Sequence, residues 1–148
     1  MQTCRRKRGA QALREDHRPI SLTDAKTLAA SYTKAWNSGS AATVAAHYAE
    51  AGQIVINKGT PWLNRAGIQA MAEGFFADVP DLHLICDGVR VAGDHMVYLW
   101  TFTGHHAKTV APLSITGWEE WDLDADQRVQ ASRGWYDADD YESQVKGG

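Results

Sequence analysis

Apolar residues in this chain change their spacing once, and that change fixes the class of fold open to it. Up to about residue 79 they recur at helical intervals; from Leu82 onward they alternate with a period of two. Ser21 or Thr23 is suited to cap a first helix, whose Leu22, Ala25, Leu28, Ala29, Tyr32 and Trp36 share one face. Asn37-Ser38-Gly39 ends it, and Ser40 caps a short second helix through Val44 to Tyr48. Gln53–Asn57 reads as a short strand, broken at Gly59-Thr60-Pro61. Asn64 caps a third helix with Ile68, Met71, Ala72 and Phe75 on its buried stripe. Four long strands follow over Leu82–Val91, Met96–His106, Leu113–Leu123 and Arg128–Tyr136, and Asp137 opens a short last helix. Helices first and a meander second predict an α+β domain: three N-terminal helices on one face of a bent antiparallel sheet.

One domain is what 148 residues accommodate. Residues 1–20 carry six basic and two acidic residues, the rest a net −7, so the expected division is a basic disordered tail (1–20) and a folded domain (21–148). An acidic body repels phosphate backbones, which argues against nucleic-acid binding. No apolar run is long enough to span a bilayer, and Arg5, Arg6, Lys7 and Arg8 precede no apolar segment of a secretory signal. Cys4 and Cys86 suggest neither a disulfide framework nor zinc spacing, which fits a reducing, cytoplasmic setting. No histidine spacing marks a metal site and no phosphate loop is present, so no cofactor is expected.

The strand Met96–Thr103 is apolar or aromatic at nearly every position. Val97, Leu99, Thr101, Thr103 and His105 share one face, assigned to the cavity; Tyr98, Trp100, Phe102 and His106 share the other. With Trp118 and Trp135 on neighbouring strands, Tyr98, Trp100 and Phe102 predict an aromatic far face that pairs in a homodimer. A far face covered by the tail or the terminal helix is the alternative.

Several segments together resemble a family: Tyr32-Thr-Lys-Ala-Trp36-Asn37-Ser-Gly39, Tyr48-Ala-Glu50, Gly59-Thr-Pro61, Arg65-Ala-Gly67-Ile68, Phe76-Ala-Asp78-Val-Pro80-Asp81-Leu82, Trp100-Thr-Phe-Thr-Gly104 and Gly134-Trp-Tyr-Asp137. In order and spacing over roughly residues 21–146 they look like the SnoaL-like, polyketide cyclase-like branch of the nuclear transport factor 2-like superfamily. The resemblance implies a cone-shaped α+β barrel with a deep central pocket and frequent sheet-to-sheet dimers. It also shows what is missing. The water-binding tyrosine and asparagine of the limonene-type epoxide hydrolases fall on Ile54 and Ile56, and their strand arginine and aspartate on Thr101 and Thr103. The last-strand acid of those hydrolases and of the cyclases falls on Gly134. The aspartate base of the ketosteroid isomerases falls on Ile56, their second acid near Gly117, and their helix-1 tyrosine on Tyr32.

The remaining polar candidates are His105 with Glu119, a pair that would shuttle a proton on a bound carbonyl or enol, and Tyr32 as a donor. The same residues are open to another reading, as a pocket-mouth histidine, a solvated carboxylate and a core tyrosine. The expected pocket is lined by Trp36, Tyr48, Ile54, Ile56, Leu99, Thr101, Thr103, Ser132, Gly134 and Tyr136, suited to a small, largely apolar ligand. Two functions fit: an isomerase, cyclase or dehydratase working by general acid–base chemistry, or a non-catalytic ligand-binding module.

Overall fold

The computed structural model describes residues 19–147. The Arg5–Arg8 cluster and most of the expected tail lie outside the described residues. Its last residue does not: Ile20 is buried in the core, and its N–H bonds to the Gly93 carbonyl at 2.9 Å, so the folded domain starts before residue 21.

Helix α1 (Leu22–Asn37) is capped by the Ser21 hydroxyl, which accepts from the Asp24 N–H, and it buries Ala25, Ala29, Tyr32, Ala35 and Trp36 along one stripe. Helix α2 (Ala41–Ala45) is capped in the same way by Ser40. Helix α3 (Asn64–Asp78) starts with Asn64 in the left-handed region, φ 56°, its side-chain oxygen accepting from the N–H groups of Ala66 and Gly67. After the strands, α4 (Ala138–Val145) begins on an Asp137 cap. No helix among the described residues is long and apolar enough to cross a membrane.

Six strands form one open sheet in the order β2-β1-β6-β5-β4-β3. They are β1 (Tyr48–Ile56), β2 (Trp62–Leu63), β3 (His83–Ala92), β4 (His95–His105), β5 (Pro112–Leu123) and β6 (Val129–Tyr136). The long strands β3 to β6 run antiparallel as expected, whereas β1 joins β6 in parallel. Helix α1 packs against β3, α3 against β1 and α4 against β5. Among the described residues, the helices therefore meet the inner face of the curved sheet and leave its outer face uncovered.

The edge of β3 is closed by a side chain. The Asn37 amide donates to the Leu84 carbonyl at 2.9 Å, and its oxygen accepts from the Leu84 N–H at 2.6 Å. One amide thus satisfies both backbone groups that Leu84 turns to the open edge, and ties the end of α1 to the sheet. Asn37→Ala should lower unfolding free energy by about 1–2 kcal/mol, the sum of two such bonds. Urea denaturation checks this, and an unchanged midpoint would show that water replaces the amide at no cost.

Candidate functional site

Three rows of facing residues on the inner sheet face build the site. Trp100, Gly117 and Tyr136 stand in register across β4, β5 and β6. The next row holds Tyr98, Glu119, Gly134 and Ile56, and the one behind it Met96, Trp121, Ser132 and Ile54. Two rows contain a glycine, and the space above them is the cavity. It opens to solvent and is lined by Trp36, Ile54, Ile56, Met71, Phe75, Leu82, Leu84, Trp100, Phe102, Glu119, Gly134, Trp135 and Tyr136. At Gly117 a Cβ would collide with the indole of Trp100, so only glycine lets that ring lie down on β5.

Among the described residues Glu119 is the one carboxylate in this wall, and it is 8% exposed. Its Oε1 accepts from the hydroxyls of Tyr32 (3.0 Å), Tyr48 (3.2 Å) and Ser132 (3.2 Å) and from the indole N–H of Trp121 (3.1 Å). Its Oε2 receives no hydrogen bond from the described residues. Burial raises the Glu119 carboxyl above the ordinary range, and the donors, Trp121 and Tyr32 foremost, offset this only in part. Tyr32 and Tyr48 are raised as well, first by burial and then by the Glu119 charge, so both remain donors. An oxygen facing four donors has no room for a proton of its own. When Glu119 takes up a proton, Oε2 is the oxygen free to carry it.

Behind the wall, the indole nitrogen of Trp100 is buried without a hydrogen-bond partner among the described residues, and that of Trp36 has the Tyr32 hydroxyl close by. Trp36 stacks edge-on against Phe75 at 6.1 Å, and Trp100 leans on Phe102 at 5.9 Å. Among the described residues, no three side chains gather to hold a metal.

The structure rearranges part of the expected site. Trp36, Ile54, Ile56, Gly134 and Tyr136 line the cavity, while Tyr48, Ser132 and Tyr32 lie behind Glu119 as its donors. Strand β4 faces the opposite way from the expectation. Tyr98 and Phe102 are buried and Trp100 lines the cavity, so these three cannot form an outer dimer face. Leu99, Thr101 and Thr103 are on the outer side, where Thr101 Oγ1 donates to Asp87 at 2.6 Å. Trp118 and Trp135, 38% and 45% exposed, keep their outer positions. With apolar side chains on both faces, β4 gives no alternation from which to read its sidedness.

The pairing of His105 with Glu119 fails for the same reason. Glu119 stands opposite Tyr98, and His105 lies seven residues further along β4, about 23 Å at 3.3 Å per residue. His105 instead meets Asp81 through Nδ1 at 2.6 Å, its backbone N–H donating to the same carboxylate at 2.7 Å, and holds that carboxyl below its usual range. Trp100 and Trp121 were missed as site residues. The alternation Leu113, Ile115, Trp121, Leu123 on β5 marks Trp121 as an inner neighbour of Glu119; nothing comparable marks Trp100.

A curved sheet wrapped by helices over one apolar cavity with a buried acid defines a small-pocket α+β protein. The chain belongs to the SnoaL-like domain family, whose profile matches residues 29–131. No curated protein sequence matches it. Among solved structures it is similar to a ketosteroid isomerase-like protein of Catenulispora acidiphila in complex with trimethylamine, at TM-score 0.74 and 16% identity over 80% of this chain and 92% of that one. AclR of Streptomyces galilaeus, labelled a hydroxylase, gives TM-score 0.73 and 18% identity over 85% and 98%. A protein of Jannaschia sp., labelled a SnoaL-like polyketide cyclase, gives 0.69 and 15% over 82% and 94%. These likenesses establish the ketosteroid isomerase-like fold.

The raised carboxyl has a thermodynamic signature. Folding binds the Glu119 proton more tightly, so its contribution to stability is full below the ordinary value of 4.5 and is lost as pH rises through the folded value. Glu119→Gln has no proton to lose. The stability of the natural chain relative to that variant should therefore decline from below pH 4.5 to neutrality, measured as urea midpoints at each pH. Asp81, Glu120 and Asp122, whose values are lowered, act in the opposite sense and cancel in the difference. A constant difference would show that Glu119 titrates as it does unfolded.

Proposed function

We propose that the chain binds a small, largely apolar carbonyl compound in this cavity and moves a proton on it, as an isomerase or cyclase does, with Glu119 as the acid and base. The observation that carries this reading is the divided carboxyl: Oε1 held by four donors, Oε2 left for the cavity. In the acid form Oε2–H donates its proton to the carbonyl oxygen of the bound molecule. The carboxylate so formed accepts a proton from the carbon beside that carbonyl, which leaves an enol and restores the acid. No atoms are gained or lost, and the four donors stabilise the charge during its brief life. A carboxyl whose pKa is raised towards neutrality suits both halves of the cycle.

The second reading is a module that holds such a molecule without chemistry, favoured by the apolar character of the remaining wall. The two separate in one experiment. With 2-tetralone in heavy water, proton NMR follows exchange of the hydrogens beside the carbonyl. The natural chain should catalyse exchange, and Glu119→Gln should slow it by about 10²–10⁴-fold, the range of a general acid–base group, with binding retained. Binding of the ketone without exchange above the solvent rate would leave the binding module as the function.

A further inference from the structure

We propose that Tyr136 determines which carbonyl compounds the cavity accepts, its phenol hydroxyl taking a second, neutral oxygen of the ligand while the ligand's carbonyl faces Glu119. The inference rests on the reading of the cavity as a site for a carbonyl compound, but not on any proton transfer there.

The chain has five tyrosines, and three of them use their hydroxyls inside the fold. Tyr32 and Tyr48 donate to Glu119, and Tyr98 pairs with Thr33. Tyr136 lines the cavity, and its hydroxyl makes no hydrogen bond with any described residue. Unlike the Trp100 nitrogen, this oxygen is not sealed off: Tyr136 is half-buried and keeps its hydroxyl open to solvent. The ring itself is held. Phe75 and Trp100 flank it at 6.4 Å and Tyr141 at 6.0 Å, and the Tyr136 backbone N–H donates to the Asn57 side chain at 3.0 Å. Phenylalanine would fill this place equally well, so the hydroxyl is of no use to the packing. A few polar groups fixed in this way, with nothing in the fold to bind, are what orient a ligand in a largely apolar pocket.

Tyr136 faces Gly117 and Glu119 faces Gly134, so the two polar side chains rise from neighbouring rows of one sheet face, about 7 Å apart along the strands. Around them the wall is apolar or aromatic: Phe75, Leu82, Trp100 and Phe102. A molecule that satisfies both has an apolar body with an oxygen at each end. The phenol stays protonated at neutral pH, because burial raises its pKa and the Asp78 and Glu142 charges raise it further. Those carboxylates also disfavour an anionic end group on the ligand. A hydroxyl fits best, since it can accept from the phenol or donate to it. The class of ligand is therefore a hydroxylated cyclic ketone, not a keto acid. An apolar end group in the same place displaces water from the phenol and returns no bond, which is how a site built around a hydroxyl rejects the analogue without one.

6-Hydroxy-2-tetralone has its second oxygen at the end of the ring system opposite the carbonyl, and 2-tetralone is the same molecule without it. Calorimetric titration of the natural chain should show the hydroxy ketone bound about tenfold more tightly, one hydrogen bond's worth. Tyr136→Phe, which keeps the ring, should bind the two ketones equally, with its affinity for 2-tetralone within about twofold of the natural chain's. A folding defect would weaken both ligands alike. Tyr141→Phe removes the neighbouring hydroxyl and should leave the preference in place. Equal affinities in the natural chain, binding of neither ketone, or a preference that survives Tyr136→Phe would overturn the proposal. So would tighter binding of 2-tetralone-6-carboxylate than of the hydroxy ketone. Preference for the hydroxy ketone without hydrogen exchange would uphold Tyr136 and sink only the proton transfer; exchange on 2-tetralone without that preference would do the reverse.

Discussion

One carboxyl oxygen collects hydrogen bonds from three separate parts of the chain, and the inner architecture depends on it. Tyr32 arrives from α1, Tyr48 from β1, Ser132 from β6, and Trp121 from the same strand as Glu119 itself. Around them is a dense aromatic set: Tyr32 lies edge-on to Trp121 at 4.8 Å and to Tyr98 at 5.4 Å, and those two stack on each other. A charged or even neutral acid in such surroundings is tolerated only because its donors replace water. The converse also holds. Each of those hydroxyls would itself be a buried polar group in need of a partner, so the acid and its donors stand or fall as a unit.

The cavity exists because the row that carries Glu119 is left partly unfilled. Facing Glu119 across the β5–β6 ladder is Gly134, with no side chain, and next to it Ile56 closes the floor. On the outer face the same strands bear a different set: His95, Glu120, Asp122 and Arg133 form a linked cluster of ion pairs, with Arg133 held between both carboxylates. That polar patch covers one end of the outer face, and Trp118 and Trp135 the other. A sheet with helices on one side needs this division of polarity, and β5 achieves it residue by residue, Glu119 facing in and Glu120 out.

How much of this could be read from residues alone follows the strength of alternation in each strand. On β5, Leu113, Ile115, Trp121 and Leu123 alternate with Ser114, Thr116, Glu120 and Asp122, so the inward course of Glu119 was legible. Caps at Ser21, Ser40 and Asp137 were legible for the same local reason. On β4 there was no polar face to set the phase, and placing Thr101 and Thr103 in the cavity reversed the strand. His105 was carried inward with them. The parallel entry of β1 beside β6 is a long-range pairing, and no local signal in Gln53–Asn57 specifies it. Nor does any spacing show that four donors converge on one oxygen of Glu119, since that depends on which neighbours the fold brings.

The absence of an acid at Gly134 and the presence of one at Glu119 are parts of one geometric fact. The two positions face each other on adjacent antiparallel strands, about 4.5–5.5 Å apart across the ladder, and both point to the cavity side. A carboxyl carried on β5 reaches the same space as one carried on β6, provided nothing occupies the facing position. Glycine meets that condition, with the Glu119 Cγ only 3.5 Å from where a Cβ at 134 would stand. A second side chain as long as aspartate would bring its carboxyl against that of Glu119, and two acids so close would compete for one proton. The empty position therefore leaves a single acid with a single free oxygen, and an assessment of chemistry from the last strand alone would miss the group that the neighbouring strand supplies.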